Sequence, residues 1–136
     1  MDPITPEAAY RVAEFRAALR RFMRTTERNA RSAGLTPQRY LLLLMIKGAA
    51  DGSERSTVTE LAQRLQLAQS TVTELVRRAE ENGLIERERS SADGRVAYLR
   101  LSADGERRLA RSFTTNETER RTLAEAFSHL EGKVPG

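Results

Sequence analysis

The segment between Thr57 and Gly83 contains two helical patterns that are separated by a connection of only three or four residues. Thr57 and Glu60 have the spacing of a capping box, so the first helix is expected to begin there. Gly83 is the expected left-handed residue that ends the second helix. The apolar residues of that second helix recur with helical spacing at Val72, Leu75, Val76 and Ala79. This arrangement predicts a helix-turn-helix over residues 57–82, a motif whose second helix enters the major groove of DNA.

The outward face of the second helix is polar and carries candidate base-reading side chains. With the apolar stripe buried, glutamine, serine, threonine and arginine face away from the core, and each can bond to base edges or to phosphates. Glu74 shares this face and can accept a hydrogen bond from cytosine. The DNA-binding residues predicted on this helix are Gln69, Ser70, Thr71, Thr73 and Arg77. A plain solvated face is the alternative interpretation, because every surface helix needs polar residues opposite its apolar stripe.

A two-stranded hairpin is predicted directly after this helix pair. The segment GLIERERS forms its first strand, and the alternating segment VAYLRL forms its second. At the tip, Arg95 is expected to enter the minor groove, where a narrow groove concentrates negative potential. Asp93 is expected to orient the Arg95 guanidinium group, and Arg89 to contact phosphates at the base of this wing. For the tip alone an ordinary turn is the alternative, because Asp-Gly is a common turn pair.

Helical patterns precede and follow this core. Pro6 and Pro37, each behind a threonine that can cap, are predicted to begin the first two helices. Ser102 opens a further helical pattern after the hairpin. Asn116 and Glu119 have the spacing of a second capping box, which predicts the start of the last helix.

The whole chain, residues 1–136, is predicted to form a single α+β domain that is mainly α-helical with a small β-hairpin. Its parts are a winged helix-turn-helix core and flanking dimerisation helices, at residues 36–101, 6–33 and 102–131. The core is too small to cover the apolar stripes of the flanking helices, so two chains are expected to interleave them in a homodimer. A two-fold dimer predicts that the DNA site is an inverted repeat with half-sites about 10 bp apart.

Composition limits the other classes of function. The net charge of +4 and the pI of about 10.1 suit a polyanionic partner. The chain has no cysteine, which excludes disulfides and thiolate metal sites, and its only histidine, His129, is predicted to be a surface residue rather than a metal ligand. Catalytic and cofactor-binding motifs are absent, so neither an enzyme nor a cofactor is expected. The N-terminus lacks a signal-peptide pattern and the longest apolar run, Tyr40 to Ile46, is too short to span a membrane, so a cytoplasmic protein without a membrane partner is expected.

Taken together, these segments resemble the MarR family of winged helix-turn-helix transcription regulators. The resemblance runs through GLTPQRYLLLLMI, TVTELAQRLQLAQSTVTELVRRAEENGLIERERS, DGR and YLRLSADGERRL, and it covers most of residues 34–109 at the family's spacing. It implies a homodimeric DNA-binding regulator, often a repressor. Many family members release DNA when a small aromatic or phenolic ligand binds between the dimer helices and the winged domain. By the family's motif, Asp93 and Arg95 correspond to the wing pair and residues 69–77 to the recognition helix.

The sequence departs from the family pattern at several positions. Ala68 stands where a capping serine or threonine is usual, Glu74 where a basic residue is frequent, and Ala79 where leucine is frequent. The loop over residues 48–56 is longer than usual. The absence of cysteine argues against the family's peroxide-sensing branch, which needs a reactive thiol.

Two alternatives stay open at this point. Glu74 and the neighbouring acidic residues weaken attraction to phosphates, so a winged-helix protein-interaction module that no longer binds DNA is the second candidate function. A ligand pocket between the long first helix and the core is one interpretation of four large side chains, and ordinary core packing is the other. These four residues are Phe15, Phe22, Met23 and Tyr40.

Overall fold

The computed structural model describes residues 2–131, which form six α-helices and one two-stranded antiparallel sheet. The helices are α1 Pro6–Ser32, α2 Pro37–Lys47, α3 Val58–Leu65, α4 Gln69–Glu81, α5 Ala103–Thr115 and α6 Glu117–Leu130. The strands are β1 Ile85–Arg89 and β2 Ala97–Leu101. The predicted fold class is confirmed, because α2 to β2 form a winged helix-turn-helix and further helices lie on either side of it.

Local capping explains where most of the helices begin. The side chains of Thr5 and Thr36 each accept a backbone N–H three residues further on, at 3.1 Å, and a proline follows each of them. Thr57 and Glu60 form the predicted capping box, with hydrogen bonds of 3.2 and 3.1 Å in the two directions. Ala68 precedes α4 without a side-chain hydrogen bond, because alanine has no acceptor to offer.

The core is built around α2. This helix packs against α1, α3, α4, α5 and β2, and its residues Leu42, Leu43 and Ile46 are fully buried. The hairpin covers one side, with Leu99 of β2 also fully buried. A nearly continuous apolar run in α2 therefore faces protein on most sides, as is usual for a helix that is apolar around much of its circumference.

The predicted loop over residues 48–56 lies between α2 and α3, and its C-terminal end pairs with the hairpin. The Ser56 N–H donates to the Leu99 carbonyl at 3.0 Å, and the Leu99 N–H donates back to the Ser56 carbonyl at 2.8 Å. Ser56 thus forms an isolated antiparallel β-bridge with Leu99, on the edge of β2 that faces away from β1. A single residue carries no alternating pattern, so this pairing has no signal in the sequence.

α5 docks against the junction of α4 and the hairpin through Gly105. The left-handed Gly83 ends α4 as predicted, with φ of 72°. Ser102 caps α5 and also donates its hydroxyl to the Gly83 carbonyl at 2.5 Å and its backbone N–H to the Leu84 carbonyl at 2.9 Å. Gly105 is buried against Leu84 so closely that a Cβ atom would overlap the Leu84 carbonyl oxygen. Three elements are therefore packed together at one point.

Asn116 does not form the predicted capping box with Glu119. Its side chain is fully buried and connects three helices instead. The Asn29 Nδ2 of α1 donates to Asn116 Oδ1 at 2.6 Å, and Asn116 Nδ2 donates to the Tyr40 hydroxyl of α2 at 3.4 Å. A buried amide must find hydrogen-bond partners, and these two lie far away in sequence, where spacing rules cannot detect them.

The terminal helices leave much of their apolar surface uncovered. α1 and α6 pack along each other, and the Phe15 and Phe127 rings meet edge to face with their centroids 5.9 Å apart. Yet Phe127 is 59% exposed and Val12 of α1 is 52% exposed. Other exposed large apolar side chains are Tyr10 and Met23 of α1 and Phe113 of α5. One chain alone therefore buries only part of the predicted stripes.

Candidate nucleic-acid interface

α4 has one face on the core and the opposite face in solvent. Val72, Val76 and Ala79 are fully buried, and the helix packs against α2, α3 and β1. The five predicted reading residues of this helix are all exposed: Gln69, Ser70, Thr71, Thr73 and Arg77. The helix can therefore approach a groove without any change in the core packing.

Arg77 is exposed, but it is paired with carboxylates of its own helix. Its Nε lies 3.0 Å from Glu74 Oε2, and its guanidinium group also pairs with Glu81. Glu74 also accepts a hydrogen bond of 3.1 Å from Arg78. The hydrogen bonds from Arg77 and then Arg78 lower the pKa of Glu74 to about 2, so this carboxylate is ionised at any physiological pH. The cation predicted to contact guanine or phosphate is thus locally neutralised.

Gln69 at the start of α4 is oriented by a contact with α3. Its Nε2 donates to the Thr59 hydroxyl at 2.6 Å. An amide nitrogen carries two hydrogens, so Gln69 keeps one donor and its carbonyl oxygen for another partner. Those are the two groups that a glutamine uses in a bidentate contact with adenine. The hydrogen bond to Thr59 is therefore compatible with the predicted reading role.

The hairpin tip brings Asp93 and Arg95 together. Asp93 Oδ1 accepts the Arg95 backbone N–H at 3.0 Å and lies 3.3 Å from Arg95 Nε. The Arg95 side chain is 93% exposed, whereas Asp93 is half-buried. Arg89 donates through Nη1 to the Gly94 carbonyl at 2.7 Å, which connects the hairpin tip to β1. The outer edge of the Arg95 guanidinium group therefore points into solvent from a held position.

Two further contacts fix the base of the wing, and sequence reasoning missed both. Arg87 of β1 bonds to Glu80 of α4 at 2.7 Å, which raises the pKa of Arg87. Arg55 lies 4.4 Å from the centre of the Tyr98 ring and donates to Glu88 at 3.1 Å. The partners lie in different elements, between 7 and 43 positions apart, so the periodicity of a single helix or strand does not relate them. The pair of Arg87 and Glu80 connects the hairpin to α4, and Arg55 connects the hairpin to the loop over residues 48–56.

Replacing Glu74 by glutamine is expected to raise the affinity for DNA of unrelated sequence by roughly tenfold at low salt. The change removes an anion from the DNA-facing side of α4, releases Arg78 for a phosphate contact, and leaves Arg77 paired with Glu81 alone. The salt dependence should steepen by about 0.9 in log–log slope for each phosphate gained. Fluorescence anisotropy with a labelled duplex measures both quantities. Glu81→Gln is the matched control, because Glu81 among residues 2–131 pairs with Arg77 but not with Arg78. An unchanged slope in Glu74→Gln would contradict the prediction.

A small cleft of about 140 Å³ lies between α1 and α2. Its lining residues are Phe22, Met23, Thr26, Glu27, Pro37, Tyr40, Leu41 and Leu44. Three of the four residues considered for a ligand pocket thus lie together. Phe15 does not line the cleft, because its ring packs on Phe127 instead.

The described residues offer no metal site and no membrane span. His129 is exposed on α6, as predicted. Between residues 2 and 131, no three acidic or histidine side chains are grouped closely enough to hold a metal ion. Across that range, no helix combines the length and the apolar character needed to cross a membrane.

Comparison with known proteins places the core among described families. The model of the MarR family matches residues 33–96, from the end of α1 to the hairpin tip. The uncharacterized HTH-type transcriptional regulator YsmB of Bacillus subtilis (strain 168) is 28% identical over 132 residues, which cover 94% of this chain and 88% of that protein. The organic hydroperoxide resistance transcriptional regulator of the same organism is 35% identical over 71 residues, which cover 52% of this chain and 46% of that protein.

The fold also matches solved structures over most of its length. A mutant of MarR from E. coli, complexed with operator DNA, has a TM-score of 0.69 and 19% sequence identity to this chain. The match covers 86% of this chain and 85% of that one. A likeness at this level of identity shows that the two chains share a fold.

Proposed function

Because residues 33–96 match the model of the MarR family, we propose that the chain is a transcription regulator of this family that binds double-stranded DNA sequence-specifically, as a homodimeric repressor. The observation that carries the proposal is the solvent-facing Arg95, held by Asp93 at the tip of a hairpin fixed beside α4. The family consists of non-enzymatic regulators, so the chain is not an enzyme.

In this proposal, α4 and the hairpin contact different grooves of the DNA. α4 enters the major groove, where Gln69 reads a base edge and Ser70, Thr71, Thr73 and Arg77 contact bases or phosphates. Arg95 enters the adjacent minor groove, and Arg89 contacts a phosphate beside it. Support comes from the exposure of all these side chains and from the contacts that fix the hairpin on α4.

Selection of bound duplexes from a random DNA pool at physiological salt tests the proposal. The wild-type chain is expected to enrich an inverted repeat with half-sites about 10 bp apart, since a two-fold dimer presents two copies of α4. Enrichment of no sequence, together with no binding at low salt, would contradict it. The winged-helix fold would then serve a protein partner, the function that the paired Arg77 and Glu74 favour.

A homodimer accounts for the uncovered faces of the terminal helices. Val12 and Phe127 each expose more than half of their surface, and apolar patches on this scale usually mark an interface. None of the residues 117–130 in α6 is buried in the single chain. A second copy that packs on α1 and α6 would cover these side chains and place the two α4 helices about a two-fold axis.

Phe127→Glu is expected to raise the dissociation constant of the dimer by about a hundredfold. The change replaces an exposed aromatic side chain with a charge at the proposed interface. Light scattering over a range of protein concentrations measures the shift from dimer to monomer. Leu67→Glu is the matched control, because Leu67 is 40% exposed in the turn before α4, away from the terminal helices. A wild-type chain that is already monomeric at micromolar concentration would contradict the dimer.

A small aromatic or phenolic effector is proposed for the cleft between α1 and α2. A dry protein cavity of about 150 Å³ holds one benzene ring, and this cleft is similar in volume and mainly apolar, with the Tyr40 hydroxyl connected to Asn116. Effector binding there would change the packing of α1 on α2 and so the separation of the two α4 helices. Regulation by a cysteine thiol is excluded, because the chain has no cysteine.

A further inference from the structure

The outer face of α1 carries a row of arginines that the proposed function does not use. Arg16, Arg20, Arg24 and Arg28 follow one another at intervals of four residues, and Arg31 continues the row. All five are exposed. We call this row the basic ridge. With 1.5 Å of rise per residue it extends for about 22 Å along the helix.

The middle of the basic ridge lies opposite the side of α1 that faces the protein. With about 100° of turn per residue, Arg20 and Arg24 point away from the buried Ala18, Thr26 and Ala30. Within residues 2–131, none of the five guanidinium groups has a carboxylate within 4.0 Å. Like charges four residues apart repel each other on a helix, so the ridge is electrostatically unfavourable until an anion covers it.

A second group of arginines adjoins the end of the ridge. Arg107, Arg108 and Arg111 of α5 line an open cleft of about 530 Å³ together with residues 32–34, which directly follow Arg31. Asp104 also lines this cleft and pairs with two of these arginines, Arg107 and Arg108. The positive surface thus continues from α1 onto α5.

The basic ridge is separate from the proposed reading face. α1 packs against α2, α5 and α6, whereas α4 packs against α2, α3 and β1. α2 therefore lies between the ridge and α4. A duplex held in the grooves by α4 and the wing leaves the outer face of α1 available.

We propose that the basic ridge is a second nucleic-acid-binding surface, which holds the phosphate backbone of a DNA duplex other than the one read by α4. Along a duplex, the phosphates of one strand are about 3.4 Å apart along the axis, so about 22 Å of ridge matches roughly six of them. Successive arginines four residues apart rise by about 6 Å, close to every second phosphate. The contact carries no sequence preference, because arginines reach only the backbone.

The chemistry of the ridge favours a duplex over an anionic membrane. Helices that lie in a membrane interface carry large apolar side chains beside their cations. Between Arg16 and Arg31, the outward face otherwise carries Ala17 and Glu27, and Met23 lies at its edge. The ridge can therefore contact a charged backbone but offers little to insert among lipid chains.

A bridging assay tests the proposal with the full chain. One duplex is fixed on beads and a second duplex of unrelated sequence carries a fluorophore, and the protein is added at low salt. The wild-type chain is expected to capture the second duplex. The triple variant Arg20→Ala, Arg24→Ala and Arg28→Ala is expected to capture at least about tenfold less, with a salt slope reduced by about 2.7. Alanine preserves helix propensity at these exposed positions.

Two controls separate the ridge from the reading face. The matched variant Arg20→Lys, Arg24→Lys and Arg28→Lys keeps the charge and is expected to bridge like the wild type. Arg95→Ala is expected to keep ridge binding to unrelated DNA, so failure of the wing proposal and failure of this one give different results. The proposal is overturned if the wild-type chain does not bridge, or if the alanine variant bridges equally well. Binding to vesicles of phosphatidylserine and phosphatidylcholine that exceeds binding to DNA would also overturn it.

Discussion

Arg95→Ala is expected to weaken binding to the selected DNA site by about tenfold to a hundredfold. The Arg95 side chain at the hairpin tip is 93% exposed, and Asp93 contacts its guanidinium group along one edge. Because the group is ordered before binding, little side-chain entropy is lost when it enters a narrow minor groove. Removing it therefore costs both the electrostatic attraction and the benefit of this prior ordering. Fluorescence anisotropy with the selected duplex measures the loss.

Three companion variants identify what Arg95 contributes. Arg95→Lys keeps the charge but not the planar guanidinium group, so it should recover only part of the affinity. Asp93→Asn should weaken binding less than Arg95→Ala, because it loosens the arginine without removing it. Arg121→Ala is the matched control, since Arg121 is an exposed arginine of α6 paired with Glu117 in its own helix. Equal affinities for wild type and Arg95→Ala would show that the wing is not a reading element.

Gly105→Ala is expected to lower the free energy of unfolding by about 3 kcal/mol. The added Cβ would overlap the Leu84 carbonyl oxygen, which is backbone and cannot rotate away, and would approach Leu101. The intrinsic helix propensity of alanine offsets only about 1 kcal/mol of this loss. α5 would have to move away from the hairpin, which would also strain the hydrogen bonds of Ser102 to Gly83 and Leu84. Urea unfolding followed by circular dichroism measures the change.

Gly94→Ala is the matched control for this prediction. A Cβ atom at Gly94 would have no atom of the described chain within 4 Å, and its backbone φ is not positive. The variant should therefore unfold within about 0.5 kcal/mol of the wild type. Equal unfolding midpoints for Gly94→Ala and Gly105→Ala would contradict the close approach of α5 to Leu84.

The elements that depend on neighbouring residues were predictable from the sequence. Thr5, Thr36, Thr57 and Ser102 begin helices as predicted, because a cap joins groups only three residues apart. The exposed face of α4 followed from helical periodicity for the same reason. The pairing of Arg77 with Glu74 and Glu81 had a visible signal as well, since these residues are three and four positions apart.

Contacts between distant residues account for what could not be predicted. Asn116 has a capping residue's position and spacing, yet its amide bonds to groups 87 and 76 positions away in α1 and α2. Three other contacts likewise depend on tertiary packing: the β-bridge of Ser56, the stacking of Arg55 on Tyr98 and the hydrogen bond from Gln69 to Thr59. The sequence thus identified the candidate reading side chains, but it did not reveal which of them are already engaged with protein partners.

The two ends of the loop over residues 48–56 are each fastened to the core, which makes its middle an independent insertion site for protein engineering. Arg64 donates to the Met45 and Gly48 carbonyls at one end, and Ser56 pairs with Leu99 at the other. Residues 50–54 between them are exposed. Doubling the length of such a loop costs only about 0.6 kcal/mol. An epitope tag or a small reporter domain placed there should leave the angle between α4 and the wing unchanged.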